Sequence, residues 1–263
     1  MKTFFRLALT AVTLALGLGC ATVSETGRHQ LLLVSDGEVM PMALSEFQKL
    51  KQTTPISKDA KANALLQRVG QRISAVATLP NAQWEFVLFD DAKTANAFCL
   101  PGGKVGVYTG ILPITATEDG LATVLSHEIA HAVARHGAER MSEALVTQLG
   151  GQLLGAALTS QSAQTQNLFL GVYGLAGQVG WTLPHSRGQE SEADHIGLKY
   201  MARAGYDPRT AVEFWKRFSN FNKQHGNQQW EFLSTHPLDE TRIKQMETWM
   251  PEALAEYHPV AGK

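Results

Sequence analysis

His127, Glu128 and His131 stand in the run TVLSHEIAHAVARHGAER (123–140), among good helix formers. Residues four apart on a helix share a face, so His127 and His131 can bring two imidazoles to one metal ion. Glu128, one residue on, can meet a metal-bound water without ligating the metal. This is the H-E-x-x-H arrangement, two zinc ligands with a general base, and it suits peptide hydrolysis. The competing reading is a helix with two incidental histidines. With nine histidines in 263 residues, chance rarely produces the five-residue pattern.

A catalytic zinc takes a third protein ligand and keeps one position open. The extension H-E-x-x-H-x-x-G-x-x-H fails, because Ala134 and Gly137 occupy the places of its glycine and last histidine. His136 misses by one residue and reads as an exposed helix histidine. Glu139 and Glu143 continue the same helix and point away along its axis. The ligand must come from elsewhere. SRGQESEADHIGLKY (186–200) offers Glu190, Glu192, Asp194 and His195. Glu190 and Asp194 share a helix face, with Gly197 close by for tight packing, and Glu192 falls on another face. The economical assignment puts Glu190 on zinc and Asp194 on a ligand histidine, fixing its tautomer. A solvated acidic helix start, held by the helix dipole, is an equal reading of the same spacing.

The elements that must position these groups are mostly helical. PMALSEFQKLKQ (41–52) reads as a short helix. Leu65, Leu66, Val69, Ile73 and Val76 recur at helical spacing between Ser57 and Leu79. WEFVLF (84–89) carries a strand signal. In KVGVYTGIL (104–112), Val105, Val107 and Thr109 alternate with Lys104, Gly106 and Tyr108, which predicts a half-exposed strand. The motif helix spans Glu118 to about Arg140. A second starts near Gln189 and ends at Gly205. A third opens with Asp207 as cap and Pro208 in its first turn, and a last begins near Pro237. The charge-free segment 145–183 reads as buried helices, a mobile cover over the site, or a membrane contact, and it lacks the apolar length of a span.

At the N-terminus, Lys2 and Arg6 precede the apolar run LALTAVTLALGLG, which ends at Cys20. This layout predicts a signal peptide over 1–19 and a lipidated Cys20. Residues 20–40 are then a tether, and 41–263 a single zinc metallopeptidase domain. Cys99 remains as a buried small hydrophobe, with no disulfide partner. Apolar residues make up 44% of the chain, enough for a sizeable core. A net charge of -1, without a basic run, excludes nucleic acid as a partner.

HEIAH, followed some sixty residues later by SRGQESEAD, resembles the gluzincin metallopeptidases that include the CAAX prenyl proteases, the bacterial heat-shock membrane protease and the mitochondrial stress protease. Their pattern S-R-x-x-E-x-x-A-D, laid on this chain, selects Glu190 over Glu192 as zinc ligand. NAFCLPGGKVGVYTGIL (96–112) resembles the family's strand before the motif helix, and STHPLDETR (234–242) its C-terminal H-P-x-x-x-x-R element. The likeness covers roughly 60–250. It is similar above all to a soluble periplasmic branch that degrades or helps assemble outer-membrane proteins, though it lacks the helical repeats of some members.

The resemblance implies an α+β, mostly helical zincin-type domain with a small sheet whose edge strand borders the active-site cleft. It implies one zinc per chain on His127, His131 and Glu190, with Glu128 as base. His236, supported by Arg242, either donates to the oxyanion or ligates the metal in a latent state. The exposed edge is expected at 104–110, where an extended substrate adds as a strand. Partners are unfolded or misassembled envelope proteins, and the outer membrane through the lipid anchor, placing the protein on the periplasmic side of a bacterial outer membrane. The rival reading is a latent, chaperone-like lipoprotein that rarely cuts. Nothing resembles the zinc motifs of cell-wall amidases.

Overall fold

The computed structural model describes residues 20–151, 186–224 and 240–259, together with Leu168, Phe232, Thr235 and His236. The expected signal peptide, most of segment 145–183 and the expected helix start at Pro237 lie outside them. The described chain is mostly helical, as expected, with two small sheets where one was expected.

Strands β1 (Cys20–Thr22) and β2 (His29–Leu31) form an antiparallel hairpin. Helix α1 (Asp36–Thr53) follows, opened by a capping box between Ser35 and Glu38. Residues 20–40 are therefore no loose tether. Val23, Gln30 and Val34 are buried, and Leu33 N donates to Ser142 Oγ at 2.8 Å. Their polar composition hid this, because the segment is held by the ion pairs of Arg28 together with only a few buried apolar side chains, Val23 and Val34.

Helix α2 (Ala60–Ser74) is capped by the Asp59 carboxylate and buries Leu66, Val69 and Ile73, three of the periodic positions. Strands β3 (Glu85–Phe89), β4 (Ala97–Leu100) and β5 (Lys104–Tyr108) form a sheet in the order β3-β5-β4. β5 runs parallel to β3 and antiparallel to β4. This corrects the reading of 104–110 as an exposed edge, since β5 is the central strand. Its apparently polar face holds Gly106, which lies under Phe98 and Phe89, and α1 covers that side through Val39, Ala43 and Phe47. The edge beside the motif helix is β4, buried along its length.

Helix α3 (Leu112–Thr115) leads into α4 (Glu118–Val133), which carries the motif. Thr117 caps α4 by accepting from Gly120 N, and Glu118 and Asp119 complement the dipole there. Leu121, Val124, Leu125 and Ile129 are fully buried. Each such side chain contributes about 1.5–3 kcal/mol. Together they offset the cost of holding polar groups in the core, about 1–3 kcal/mol for each one left unpaired.

The motif helix does not reach Arg140. It breaks at Arg135, which adopts a left-handed φ of 58°, and α5 (His136–Gly151) starts afresh. Helix α6 (Arg187–Arg203) packs along α4. Gly197 faces α4 there, and a Cβ at that position would lie 3.4 Å from His127 N and from Ser126 Oγ, close to ordinary contact. Helices α7 (Arg209–Gln224) and α8 (Glu240–Ala255) close the core with Phe214, Trp215, Phe218 and Met246. Asp207 Oδ1 accepts from Arg209 N at 3.0 Å, the expected capping contact. Among the described residues, no helix is long and apolar enough to cross a membrane.

Candidate metal centre

Helix α4 delivers His127, Glu128 and His131 from one buried face, and α6 delivers Glu190 from its first turn. Ser186 sets that turn by a capping box with Gln189. His236 comes in beneath Phe232, its backbone N donating to Phe232 O at 2.9 Å. His127, His131, Glu190 and His236 offer ligand atoms that all lie within 4.8 Å of one another.

The separations define the cluster. His127 Nε2 lies 3.1 Å from His131 Nε2 and 3.3 Å from His236 Nδ1. Glu190 Oε1 lies 3.2 Å from His131 Nε2 and 2.9 Å from His236 Nδ1. Glu190 Oε2 lies 3.4 Å from His127 Nε2. Donors about 2.0–2.1 Å from a tetrahedral zinc stand about 3.3 Å apart, so these values suit the edges of a zinc coordination shell. The donor chemistry, imidazoles and a carboxylate, fits the same ion.

Outer contacts hold the donors. His127 Nδ1 lies 3.1 Å from Asp194 Oδ1, a charge contact too bent for a full hydrogen bond. Arg242 donates to Asp194 from Nε at 2.7 Å and from its NH2 group at 2.8 Å, and its NH1 group lies 2.8 Å from Glu190 Oε2. The guanidinium rests on the Trp215 ring, 4.4 Å from its centroid. Arg242 thus faces the carboxylates of Asp194 and Glu190, and it reaches His236 through Glu190. Its ion pairs with α6 draw it there.

Glu128 stands beside the donors without joining them, with Oε1 3.4 Å from His236 Nε2 and buried without a hydrogen bond. Burial pushes its carboxyl up from the usual range. Burial likewise pushes Glu190 up, but His236, Arg242 and His127 outweigh it and hold its carboxyl well below that range. Burial alone would lower His127, yet Asp194 and Glu190 raise it to about 9. His131 goes well below its usual value because burial dominates.

His136 is not the exposed helix residue that its position suggested. It is fully buried, and its Nδ1 lies 2.7 Å from His131 Nδ1. Glu192 and Glu139 are buried around Arg28 rather than solvated or directed away. His195 stacks on Trp249 and contacts Glu252 at 2.8 Å, away from the cluster. Sequence reasoning missed Trp215, which lies edge-on to His127 at 5.3 Å between centroids. Nothing in its local pattern set it apart from other core aromatics.

A family model described as Peptidase family M48 matches residues 60–250. The mitochondrial metalloendopeptidase OMA1 of Saccharomyces cerevisiae is 44% identical over 179 residues, 66% of this chain and 49% of that protein. Its Schizosaccharomyces pombe counterpart is 43% identical over 72% of this chain and 53% of its own length. The beta-barrel assembly-enhancing protease of Yersinia pestis is 31% identical, over 77% of this chain and 42% of that protein. The chain thus spans about half the length, or less, of these curated relatives. The mitochondrial matches correct the expectation of a lipoprotein on the periplasmic side of a bacterial outer membrane. That expectation rested on the composition of the first twenty residues, a pattern independent of the catalytic fold.

Proposed function

The chain belongs to peptidase family M48, and on that premise we propose that it is a zinc-dependent endopeptidase acting on unfolded or misassembled proteins. The observation that carries this reading is the convergence of His127, His131 and Glu190 on one buried point, with Glu128 alongside and outside the set. Bound zinc would supply Lewis acidity, lowering the pKa of a water towards neutrality.

Glu128 takes a proton at its carboxylate and returns it to the leaving amine. Burial raises its pKa, the direction that strengthens it as a base. Asp194 and Arg242 hold His127 and Glu190 in place. Aromatic packing from Trp215 and Phe232 excludes water from the inner side of the cluster. Strand β4 is a sheet edge packed beside the motif helix, and an extended substrate would have to uncover that edge to add as a strand, which favours unfolded substrates over native surfaces.

A second reading, a latent enzyme that mainly binds its clients, is favoured by one observation. His236 Nδ1 sits among the ligand atoms, where it would take the position a catalytic water needs. The test is digestion of casein with and without chelator, beside Glu128→Gln. Chelator-sensitive cleavage by the wild type, and a loss of about 10²–10⁴-fold with zinc retained in Glu128→Gln, are expected for the endopeptidase. Chelator-resistant cleavage, or full activity in Glu128→Gln, would refute it.

A further inference from the structure

The two motif histidines are held differently. His127 has a direct outer partner in Asp194. At His131 the outer nitrogen Nδ1 meets another imidazole, that of His136, at 2.7 Å. On an unbroken helix, residues five apart diverge by about 140° around the axis and their side chains do not meet. The left-handed residue Arg135 breaks the helix, and His136 comes to lie beside His131.

The contacts continue outward. His136 Nε2 lies 2.9 Å from Glu192 Oε2. Arg28 Nε donates to the same oxygen at 2.6 Å, and Thr26 Oγ1 donates to Glu192 Oε1. The other nitrogens of Arg28 grip Glu139 at 2.5 and 2.9 Å, and Gln189 also donates to Glu139 at 2.7 Å. Thr26 and Arg28 belong to the hairpin made by β1 and β2. Proton positions follow from the ligand. With His131 Nε2 turned to the other donors, the proton of its neutral ring is on Nδ1 and is donated to His136 Nδ1. His136 then carries its own proton on Nε2 and donates it to the Glu192 carboxylate. Every hydrogen bond in the chain runs one way, ending on a carboxylate fixed by Arg28.

We propose that His136 and Glu192 are positioning residues that lock the tautomer and ring orientation of His131, and that Arg28 of the N-terminal hairpin anchors this relay. The hairpin is thereby a working part of the metal centre, although it lies outside the stretch matched by the family model. The inference rests on the reading of His127, His131 and Glu190 as metal ligands.

The test measures zinc affinity by chelator competition, the visible spectrum of the cobalt-substituted protein, and the melting temperature of the metal-free form. The variants are His136→Ala, His136→Gln, Arg28→Ala and Glu190→Gln. An outer hydrogen-bond partner of a metal-bound histidine is worth about 10–100-fold in metal affinity. His136→Ala should lose that much and shift the cobalt bands. His136→Gln, which keeps an acceptor for His131, should recover most of it. Arg28→Ala should weaken binding in the same direction by less. The relay is overturned if His136→Ala and Arg28→Ala bind zinc within about twofold of wild type while Glu190→Gln loses it. It is also overturned if His136→Gln is as weak as His136→Ala and the losses merely follow metal-free melting. Wild-type zinc affinity in Glu190→Gln would instead sink the metal-centre reading, and the relay with it.

Discussion

His236 can be assigned by its substitutions. If its Nδ1 holds the resting protein latent, His236→Ala raises the rate of casein cleavage, since it clears one donor without touching His127, His131 or Glu190. A role as oxyanion donor gives the opposite result, with His236→Ala and His236→Arg both losing about a hundredfold or more. The placement of Nδ1 at 2.9 Å from Glu190 Oε1 makes the increase the expected outcome. His127 sets a second expectation. Its metal-free pKa is raised to about 9, and only the unprotonated ring can ligate. Zinc binding therefore displaces a proton from His127 below pH 9, and apparent affinity weakens as the pH falls from 9 towards 6. For one proton the weakening is about tenfold per pH unit. Calorimetry in buffers of different ionisation enthalpy should show the release. A pH-independent affinity across that range would contradict the raised pKa.

At the scale of the elements, the break between α4 and α5 is the unusual feature. A non-glycine residue in the left-handed region costs about 1–2 kcal/mol, and Arg135 sits there at φ 58°. Its guanidinium contact with Asp36, at 2.6 Å and partly exposed, returns at most about 1 kcal/mol. Arg135→Gly should accordingly change stability by less than about 1 kcal/mol, because relief of strain and loss of the ion pair offset each other. Arg135→Val adds a β-branched side chain to the same backbone and should cost at least about 1–2 kcal/mol more than glycine. Urea unfolding of both variants checks this. Equal stability would mean that the turn relaxes at little cost.

For the whole molecule, the metal centre joins α4, α6 and the residues just before α8, which are distant in sequence. A ligand that binds only the folded state stabilises it by about 2.7 kcal/mol at a hundred times its dissociation constant. For a domain of this size that corresponds to roughly 5–10 °C in melting temperature. Chelation should lower the transition by about that amount, and zinc should restore it. An unchanged transition would mean that the cluster forms without need of the ion. The chain's span of about half the length of its relatives leaves substrate delivery to be established by such assays on this chain itself.

The sequence by itself determined the chemistry on α4. The helical period places His127 and His131 on one face whatever surrounds them, and their order with Glu128 is what proposes two of them as ligands and one as base. It also determined most helices, whose apolar spacing and caps are local properties: Asp59 and Asp207 cap where they stand. Spacing alone left Glu190 balanced against a solvated helix start, because a carboxylate four residues from another reads alike in water and in a core. Tertiary structure decided that Glu190 is buried against three histidines. It also decided that Arg242 faces carboxylates, that β5 is central, and that residues 20–40 are docked. His136 shows why. A single left-handed residue at Arg135 ends one helix and starts the next on a new course, and no hydrophobic period records a backbone angle. Arg28, Glu139 and Glu192 look like solvated charges in the sequence. They become buried partners only when three separate segments meet, and that pairing is a property of the fold rather than of any one stretch.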